Sequence, residues 1–217
     1  LKMVDEATGM SVALIGSDGI YSAVVVSGAN QTIDLSEIAV PDDLTVLVLQ
    51  NEINTDANFE IIKKVPKSTF IILNAAPALT PNKDFFERID LLVVNQLEAK
   101  MLLNEEPSIF NNLDALRKLQ NLGPKEVIIT MGADGYTGIS KNGEIFSEPG
   151  IKVDVLSTHG AGDSFVGTLA AFICKGEPIN IAAQYAQASS ALHVKTPIDQ
   201  REKILQADIE NMFSLNQ

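Results

Sequence analysis

The sequence predicts an α/β domain of three layers (α/β/α), in which a mainly parallel sheet lies between helices. Short segments rich in Val, Ile and Leu recur along the chain and are apolar on both faces, as strands buried on both sides are. Helical patterns separate these segments, which indicates βαβ units. A length of 217 residues with 46% apolar residues is enough for one sizeable core. We therefore expect one domain over residues 1–217.

The first predicted element is a β-hairpin that stands apart from the sheet. Two apolar runs flank the segment Ser17-Asp18-Gly19, and Asp-Gly between such runs favours a tight turn. No helical pattern follows the second run in the sequence. We therefore expect residues 11–27 to project as part of a small β lid, next to an α/β core over residues 45–217.

The core elements follow in chain order. Strands are predicted at Thr45–Leu49, Thr69–Leu73, Asp90–Val94 and Glu126–Thr130. Helical patterns lie at about 56–65, 96–103 and 113–122, and Gly123-Pro124 ends the third of them. A second hairpin turns at Asn142-Gly143. Three further helices are predicted: one after the turn at Gly160, one at about 178–194 and one at about 199–213.

Composition excludes several classes of partner. The formal net charge of −12 argues against nucleic acid and against an anionic membrane, since both require basic surfaces. The apolar runs are too short to cross a bilayer, so we expect no membrane partner. Cys174 is the single cysteine, which excludes an internal disulfide and favours a reducing cytoplasm. Two histidines and one cysteine do not support a zinc cluster.

Polar residues gather where the four predicted strands end. In chain order, these ends carry Gln50–Glu52, Asn74–Ala78, Asn95–Glu98 and Thr130–Gly135. The carboxyl ends of parallel strands meet at one edge of a sheet, which is where ligands bind in this class of fold. A single Asn at a strand end is weak evidence, because Asn is common in turns. Four such ends together indicate a ligand site.

The segment STHGAGDSFVG, residues 157–167, begins an apolar helix directly after a glycine turn. Glycines at this turn let backbone N–H groups converge on an anion, and the helix dipole adds positive potential. Asp163 would then accept a proton from a hydroxyl, while Gly160–Gly162 stabilise charge on a transferring phosphoryl group. The alternative is that Asp163 merely caps the helix. The spacing favours the anion site.

This segment resembles the C-terminal signature of the ribokinase-like sugar kinases, Asp-Thr-Thr-Gly-Ala-Gly-Asp-Thr-Phe. Other segments match that family in its own order: VVSGAN, LQNEI, ILNAAPA, VVNQLEA and IITMGADG. The resemblance covers nearly the whole chain, and within the family it is greatest for the ribokinase subfamily. It implies ATP-dependent phosphorylation of a sugar hydroxyl with Mg²⁺, and ribose as the sugar that becomes ribose 5-phosphate.

The resemblance also implies roles for individual residues. Asp163 matches the catalytic base at the sugar, and Gly160, Ala161 and Gly162 match the anion hole. The other matches are Asn95 and Glu98, which help to hold phosphate and Mg²⁺ partly through water, Thr130, Gly132 and Gly135 of the nucleotide turn, Gln187 near the adenine, and Glu52 at the sugar site. For Glu98 the alternative is an acid that stabilises a helix start, and for Glu52 it is a surface carboxylate. A lid with an unpaired edge favours a homodimer formed through the lid.

The sequence departs from the family pattern in three places. The family's N-terminal third, with its early Asp and glycine-rich, lysine-containing sugar motif, is not found, so we expect the functional protein to be longer. Ser157 and His159 stand where the family has an Asp and a Thr next to a K⁺ ion. They are candidates for a degenerate K⁺ site, because serine is a weaker cation ligand. The family's Gly-Ala-containing loop after SSALHV is not found, since KTPIDQ runs almost directly into the last helix.

Two alternatives to a ribokinase-type activity stay open from the sequence. In the first, the fold and the chemistry are the same, but the acceptor is fructose, a nucleoside or another small alcohol. In the second, the chain is a catalytically weak relative that binds nucleotide or sugar as a sensor or assembly module. The altered residues at 157 and 159 and the altered C-terminal loop keep the second alternative open.

Overall fold

The computed structural model describes residues 3–15, 21–33, 38–79, 83–106 and 110–215. The first element is the predicted hairpin, an antiparallel pair of β1 (Met10–Ile15) and β2 (Tyr21–Val26). Its predicted turn at residues 17–19 lies outside the described residues. Met10 pairs with Val26 and Val12 pairs with Val24, so these four side chains share one face. Each of them is between 47% and 55% exposed, which leaves an apolar face open on the hairpin.

The main sheet has six strands that follow one another in the order of the chain. They are β3 (Val46–Gln50), β4 (Phe70–Asn74), β5 (Leu91–Asn95), β6 (Glu126–Thr130), β7 (Tyr136–Ile139) and β8 (Ile145–Glu148). The first four are parallel, and β7 and β8 continue the sheet as an antiparallel hairpin. The predicted turn at Asn142-Gly143 joins β7 to β8, and Gly143 has the positive φ of 82° that such a turn requires. The mainly parallel sheet is thus confirmed.

Seven α-helices accompany this sheet in the part of the chain that the structure describes. They are α1 (Thr55–Lys64), α2 (Lys83–Arg88), α3 (Gln96–Leu103), α4 (Asn112–Gln120), α5 (Ala161–Cys174), α6 (Ile179–Lys195) and α7 (Gln206–Ser214). None of these helices is long and apolar enough to cross a bilayer.

The strands bury alternate side chains on opposite faces, which produces two separate cores. On β5, for example, Leu92 and Val94 belong to the core under α1–α4, while Leu91 and Val93 belong to the core under α5 and α6. This alternation explains why the parallel strands are apolar at successive positions between their polar ends. The three-layer α/β/α fold class is confirmed.

The structure differs from the prediction at two helices. The six-residue α2 was not predicted, because so short a segment does not display a helical period; it is held by the buried side chains of Phe85 and Phe86. The predicted helix over 199–213 is interrupted. A 3₁₀ helix, Ile198–Lys203, comes first, and α7 begins only at Gln206. The amide of Leu205 donates to the Asp208 carboxylate at 2.8 Å, so the chain starts a new helix there.

Candidate active site

The loops after β3 and β4 are held together at the carboxyl edge of the sheet by a buried asparagine. Asn51 is only 4% exposed, and its Nδ2 atom donates to the carbonyl oxygen of Pro77 at 2.9 Å. Its backbone amide donates to the carbonyl of Ala76 at 3.2 Å. Glu52 follows with an exposed side chain, and the Nε2 atom of Gln31 reaches its carbonyl at 3.5 Å. Glu52 therefore lies where the segment after the lid meets the sheet edge.

The glycine turn before α5 leaves two unbonded amides at the start of that helix. Gly160 is the N-cap with a left-handed φ of 78°, and Ala161 donates its N–H to the carbonyl of Thr158 at 3.1 Å. Among the described residues, the N–H groups of Gly162 and Asp163 have no acceptor, as expected in the first turn of a helix. A Cβ atom at Gly162 would meet nothing within 4 Å. Free donors, open space and the positive helix end together suit an anion.

Asp163 is the third residue of α5, and its side chain is exposed. No side-chain hydrogen bond caps this helix. Within the described part of the chain, the Asp163 carboxylate has no hydrogen-bond or ion-pair partner, so it does not serve as the cap that the sequence left open as an alternative. It is an accessible carboxylate directly beside free backbone amides.

Side chains of α6 fix the turn and the start of α5. The Ser190 hydroxyl donates to the carbonyl of Ala161 at 2.9 Å, and the hydroxyls of Ser164 and Ser189 lie 2.9 Å apart. The Nε2 atom of His193 lies 2.9 Å from the carbonyl of His159. Small buried alanines on α6 allow α5 to approach this closely. The first turn of α5 is therefore positioned by the second half of α6.

Arg201, in the 3₁₀ helix after α6, is a site residue that the sequence analysis missed. Its guanidinium donates to the carbonyl oxygens of Ser157 and His159, at 3.0 Å and 2.8 Å. These are the two residues for which the resemblance implied a K⁺ site. No local pattern marks this arginine, because its partners lie 44 and 42 residues earlier in the chain.

Asn95 and Glu98 form a capping box at the start of α3. The Oδ1 atom of Asn95 accepts from the amide of Glu98 at 2.9 Å, and Oε2 of Glu98 accepts from the amide of Asn95 at 2.7 Å. Burial raises the pKa of the Glu98 carboxyl above its usual value, and the hydrogen bonds from Asn95 oppose part of that effect. The helix-start alternative for Glu98 is thus realised.

The capping box still leaves room for a metal role. The second oxygen of Glu98, Oε1, has no partner among the described residues, and an oxygen of this kind suits Mg²⁺ that keeps most of its water and phosphate ligands. In the same part of the chain, no group of three or more His, Cys, Asp or Glu side chains is placed to hold a metal ion. The residues present therefore fit a Mg²⁺ ion that is held mainly by water and phosphate oxygens.

The two glycines of the turn after β6, Gly132 and Gly135, have different surroundings. Thr130 ends the strand, and its hydroxyl lies 3.4 Å from the carbonyl of Val94. Gly132 begins a short 3₁₀ helix with a φ of 58°, and a Cβ atom there would meet nothing within 4 Å. At Gly135 a Cβ atom would come within 2.0 Å of the carbonyl of Glu148. Gly135 is therefore required by the backbone packing, while Gly132 borders open space.

A cavity of about 670 Å³ lies beside α6. It is lined by residues 148–152 at and after the end of β8, by Gln184 and Gln187 of α6, and by Phe213 of α7. The Nε2 atom of Gln187 donates to the carbonyl of Pro149 at 2.7 Å. Gln187 precedes His193 by six residues, which is about 9 Å along a helix. The cavity is thus a short distance along α6 from the Gly160 turn, whereas Asn95, Thr130 and Gly132 are not part of its lining.

Comparison with known proteins places the chain in a family. The model of the pfkB family carbohydrate kinases matches residues 2–203. A ribokinase of Schizosaccharomyces pombe is 30% identical over 204 residues, covering 89% of this chain and 64% of that protein. A ribokinase of Arabidopsis thaliana is 30% identical over 202 residues, covering 88% of this chain and 53% of that protein. The chain therefore spans less than two thirds of the length of these curated relatives.

Solved structures show the same fold. A ribokinase from Thermotoga maritima is 26% identical, with a TM-score of 0.83 over 97% of this chain and 71% of that one. A ribokinase of Arabidopsis thaliana complexed with ribose and ATP is 25% identical, with a TM-score of 0.81 over 96% of this chain and 70% of that one. Since the family model matches nearly the entire chain, the protein belongs to the pfkB family of carbohydrate kinases.

Proposed function

We propose that the protein phosphorylates a sugar hydroxyl with ATP, and that the sugar is ribose, which becomes ribose 5-phosphate. The observation that carries the proposal is the first turn of α5. There the free amides of Gly162 and Asp163 border open space beside an Asp163 carboxylate that has no partner among the described residues. The similar ribokinases, one of them solved with ribose and ATP, support the choice of donor and acceptor.

The geometry supports an in-line transfer. Asp163 takes the proton from the primary hydroxyl of the sugar while that oxygen bonds to the γ-phosphorus. The bond from the γ-phosphorus to the bridging oxygen breaks, and ADP leaves with the electron pair. The amides of Gly162 and Asp163 stabilise the charge on the transferring oxygens, and the dipole of α5 adds to this. Glu98 would help to hold Mg²⁺ beside the phosphates, and the ion would supply further positive charge there.

The cavity beside α6 is the proposed place for the nucleoside end of ATP. It lies about 9 Å along α6 from the residue that contacts Gly160, a separation that a nucleotide with its phosphates at the turn would span. Gln187 then borders the adenine. Thr130 and Gly132 lie at the carboxyl edge of the sheet and border the phosphates from the other side.

The sugar is proposed to lie between Asp163, Glu52 and the lid. A closed lid excludes water, which would otherwise accept the phosphoryl group. We further propose that the lid pairs with the lid of a second copy. Support comes from the four half-exposed apolar side chains on one face of the hairpin, at positions 10, 12, 24 and 26.

The function is tested by Asp163→Asn in the full-length protein. Loss of a general base should lower kcat for ribose by about 10²–10⁴-fold, with little change in the binding of ATP. Asp114→Asn is the matched control, because Asp114 occupies the same third position of α4 and is exposed. A decrease of less than about tenfold for Asp163→Asn would show that Asp163 is not the base.

A panel of acceptors tests the choice of sugar. Ribose, fructose, adenosine and glycerol are compared by kcat/KM, and ribose should give the highest value. A higher kcat/KM for another acceptor would show that ribose is not the preferred substrate, while the proposed phosphoryl transfer would still hold. ATP binding in calorimetry without ADP release for any acceptor would instead favour the catalytically weak alternative.

A further inference from the structure

Arg201 is bonded at every nitrogen of its guanidinium by the protein itself. Nη2 donates to the carbonyl of Ser157 at 3.0 Å, Nη1 to that of His159 at 2.8 Å, and Nε to that of Thr196 at 3.1 Å. Nη1 also lies 2.9 Å from Nε2 of His193. The guanidinium is a permanent cation with donors only, so all of these contacts use its positive charge.

The partners of Arg201 are three backbone carbonyls and the imidazole of His193, all of them uncharged acceptors. Among the described residues no carboxylate forms an ion pair with it. Backbone carbonyl oxygens are also the ligands that K⁺ takes in selectivity filters, so Arg201 places its charge among ligands of the kind that suit an alkali cation.

The contact with His159 acts directly on the anion site. The carbonyl of His159 and the N–H of Gly160 belong to one planar peptide unit. A donor that holds the carbonyl therefore fixes the direction of that N–H, and it also polarises the peptide so that the N–H becomes a stronger donor. The next residue, Ala161, begins α5, so the same anchor fixes the start of the helix that carries Gly162 and Asp163.

The contacts of Arg201 also bear on whether a K⁺ ion can bind at Ser157 and His159. An alkali cation needs several oxygen ligands that converge on it, and the carbonyl oxygens of these residues already accept from Arg201. The fixed positive charge would also repel a second cation at contact distance. The residues present therefore do not fit a K⁺ ion at this place.

We propose that Arg201 is a positioning residue that serves as the built-in cation of the Ser157–Gly160 turn, so that the transfer reaction proceeds without a monovalent metal ion. The proposal rests on the proposed function, because it concerns the same anion site. Arg201 contacts neither the sugar nor the phosphate. It acts by holding the amides that do.

The first experiment measures kcat and KM of the full-length protein in tetramethylammonium, Na⁺, K⁺ and guanidinium chloride at equal ionic strength. The wild type should have the same kcat in tetramethylammonium as in K⁺, within about twofold. Arg201→Ala should lose about 10²-fold in kcat with a smaller change in KM for the sugar, as expected when a reacting group is displaced by about 1 Å. Millimolar guanidinium or K⁺ should raise the kcat of this variant to at least about a tenth of the wild-type value, because either ion can bind the carbonyl oxygens that Arg201 has left.

Arg201→Lys keeps the positive charge but places it on a single donor group. Its kcat should therefore lie between those of the wild type and the alanine variant. Arg117→Ala on α4 is the control, since Arg117 is exposed on the other side of the sheet and should leave kcat unchanged. Wild-type activity that rises more than about fivefold on adding K⁺ would overturn the proposal. So would an Arg201→Ala variant that loses activity and is restored by no cation, since that result describes a purely structural residue.

A second measurement does not depend on activity. The melting temperature is measured without nucleotide in tetramethylammonium and in K⁺. The wild type should show no difference, while Arg201→Ala should gain stability in K⁺, because an ion that binds only the folded state raises its melting temperature. A K⁺-dependent rise in the wild type would contradict the proposal. If Asp163→Asn showed the proposed function to be wrong, this measurement would still decide whether Arg201 excludes the cation.

Discussion

Gly160 and His193 are in direct contact: a Cβ atom added to Gly160 would lie 2.9 Å from the Nε2 atom of His193. The position is therefore closed to a side chain for two separate reasons. The first is this lack of space, and the second is the left-handed φ of 78°, which costs about 1–2 kcal/mol for a residue with a Cβ atom. The imidazole on α6 thus packs against a backbone position of the turn that must remain free of a side chain.

The first prediction concerns Gly160→Ala. The methyl group should move the turn away from His193 and rotate the amides at the start of α5, so we expect kcat for the proposed transfer to fall by about 10²-fold. Gly167→Ala is the matched control in the same helix. A Cβ atom there would meet nothing within 4 Å, and the change should stabilise the helix by about 0.5–1 kcal/mol with no loss of kcat. Equal kcat values for the two variants would contradict the prediction.

The second prediction concerns the opposite edge of the sheet. The buried carboxylate of Asp90 accepts from the amide of Ile71 at 2.8 Å and pairs with Lys125 at 2.6 Å and with Arg88 at 3.3 Å. It therefore joins the beginnings of β4 and β5 to the residue before β6. Asp90→Ala should lower the free energy of unfolding by about 3 kcal/mol in urea denaturation, because it leaves the buried amide of Ile71 without its acceptor and removes both ion pairs.

Asp43→Ala is the control for that measurement, since Asp43 is exposed and should change stability by less than about 0.5 kcal/mol. The kcat of the folded Asp90→Ala protein should stay at the wild-type value, because the carboxylate lies at the amino ends of the strands. A change in stability similar to that of Asp43→Ala would show that the buried ion pair contributes little.

The parts of the fold that could be predicted from the sequence depend on local patterns. The parallel strands are recognisable because each contains a run of successive apolar residues, and the turn at Gly160 is recognisable because its glycines and Asp163 are adjacent. The site residues at the strand ends could also be predicted, because parallel strands bring their carboxyl ends to one edge of the sheet. For these elements, adjacency in sequence already implies the geometry.

What could not be predicted depends on tertiary contacts. Arg201 reaches the turn only because the chain forms a 3₁₀ helix after α6 in place of the predicted continuous helix, and its partner His159 is 42 residues away. The hydrogen bond from Ser190 to Ala161 likewise follows from how α5 packs on α6. Side chains that act through packing of this kind leave no period or motif in the sequence.

The third prediction concerns the pH dependence of stability. Glu126 is 9% exposed, and burial is the main cause that raises the pKa of its carboxyl; the charge of Asp90 adds to this, while the amide and charge of Lys141 oppose it. A carboxyl whose pKa is higher in the folded state contributes stability below its unfolded pKa of about 4.3, and this contribution is lost as pH rises through the folded value.

Glu126→Gln removes that titration and keeps an acceptor for the amide of Lys141. The stability of the variant relative to the wild type should therefore increase between about pH 4 and pH 7. Urea denaturation at several pH values in this range measures the difference. A difference that stays constant, or that decreases with pH, would contradict the raised pKa.

The last prediction links the aromatic side chains of α5, α6 and α7 to the cavity. The ring of Tyr185 is stacked between those of Phe172 and Phe213, with centroid distances of 3.9 Å and 4.2 Å, and Phe213 also lines the cavity. Phe213→Ala should therefore loosen the cavity wall. If the nucleoside binds there, KM for ATP should rise by about 2–10-fold, which corresponds to the loss of about 0.5–1.5 kcal/mol for an aromatic contact, while kcat changes less.

Phe59→Ala is the control for this variant. Phe59 packs against Phe85 in the core on the other face of the sheet, so its removal should lower the free energy of unfolding and leave KM for ATP unchanged. If Phe213→Ala destabilises the protein and KM for ATP stays at the wild-type value, the cavity does not bind the nucleoside. In that case we expect the adenine beside Thr130 and Gly132, where the turn after β6 borders open space.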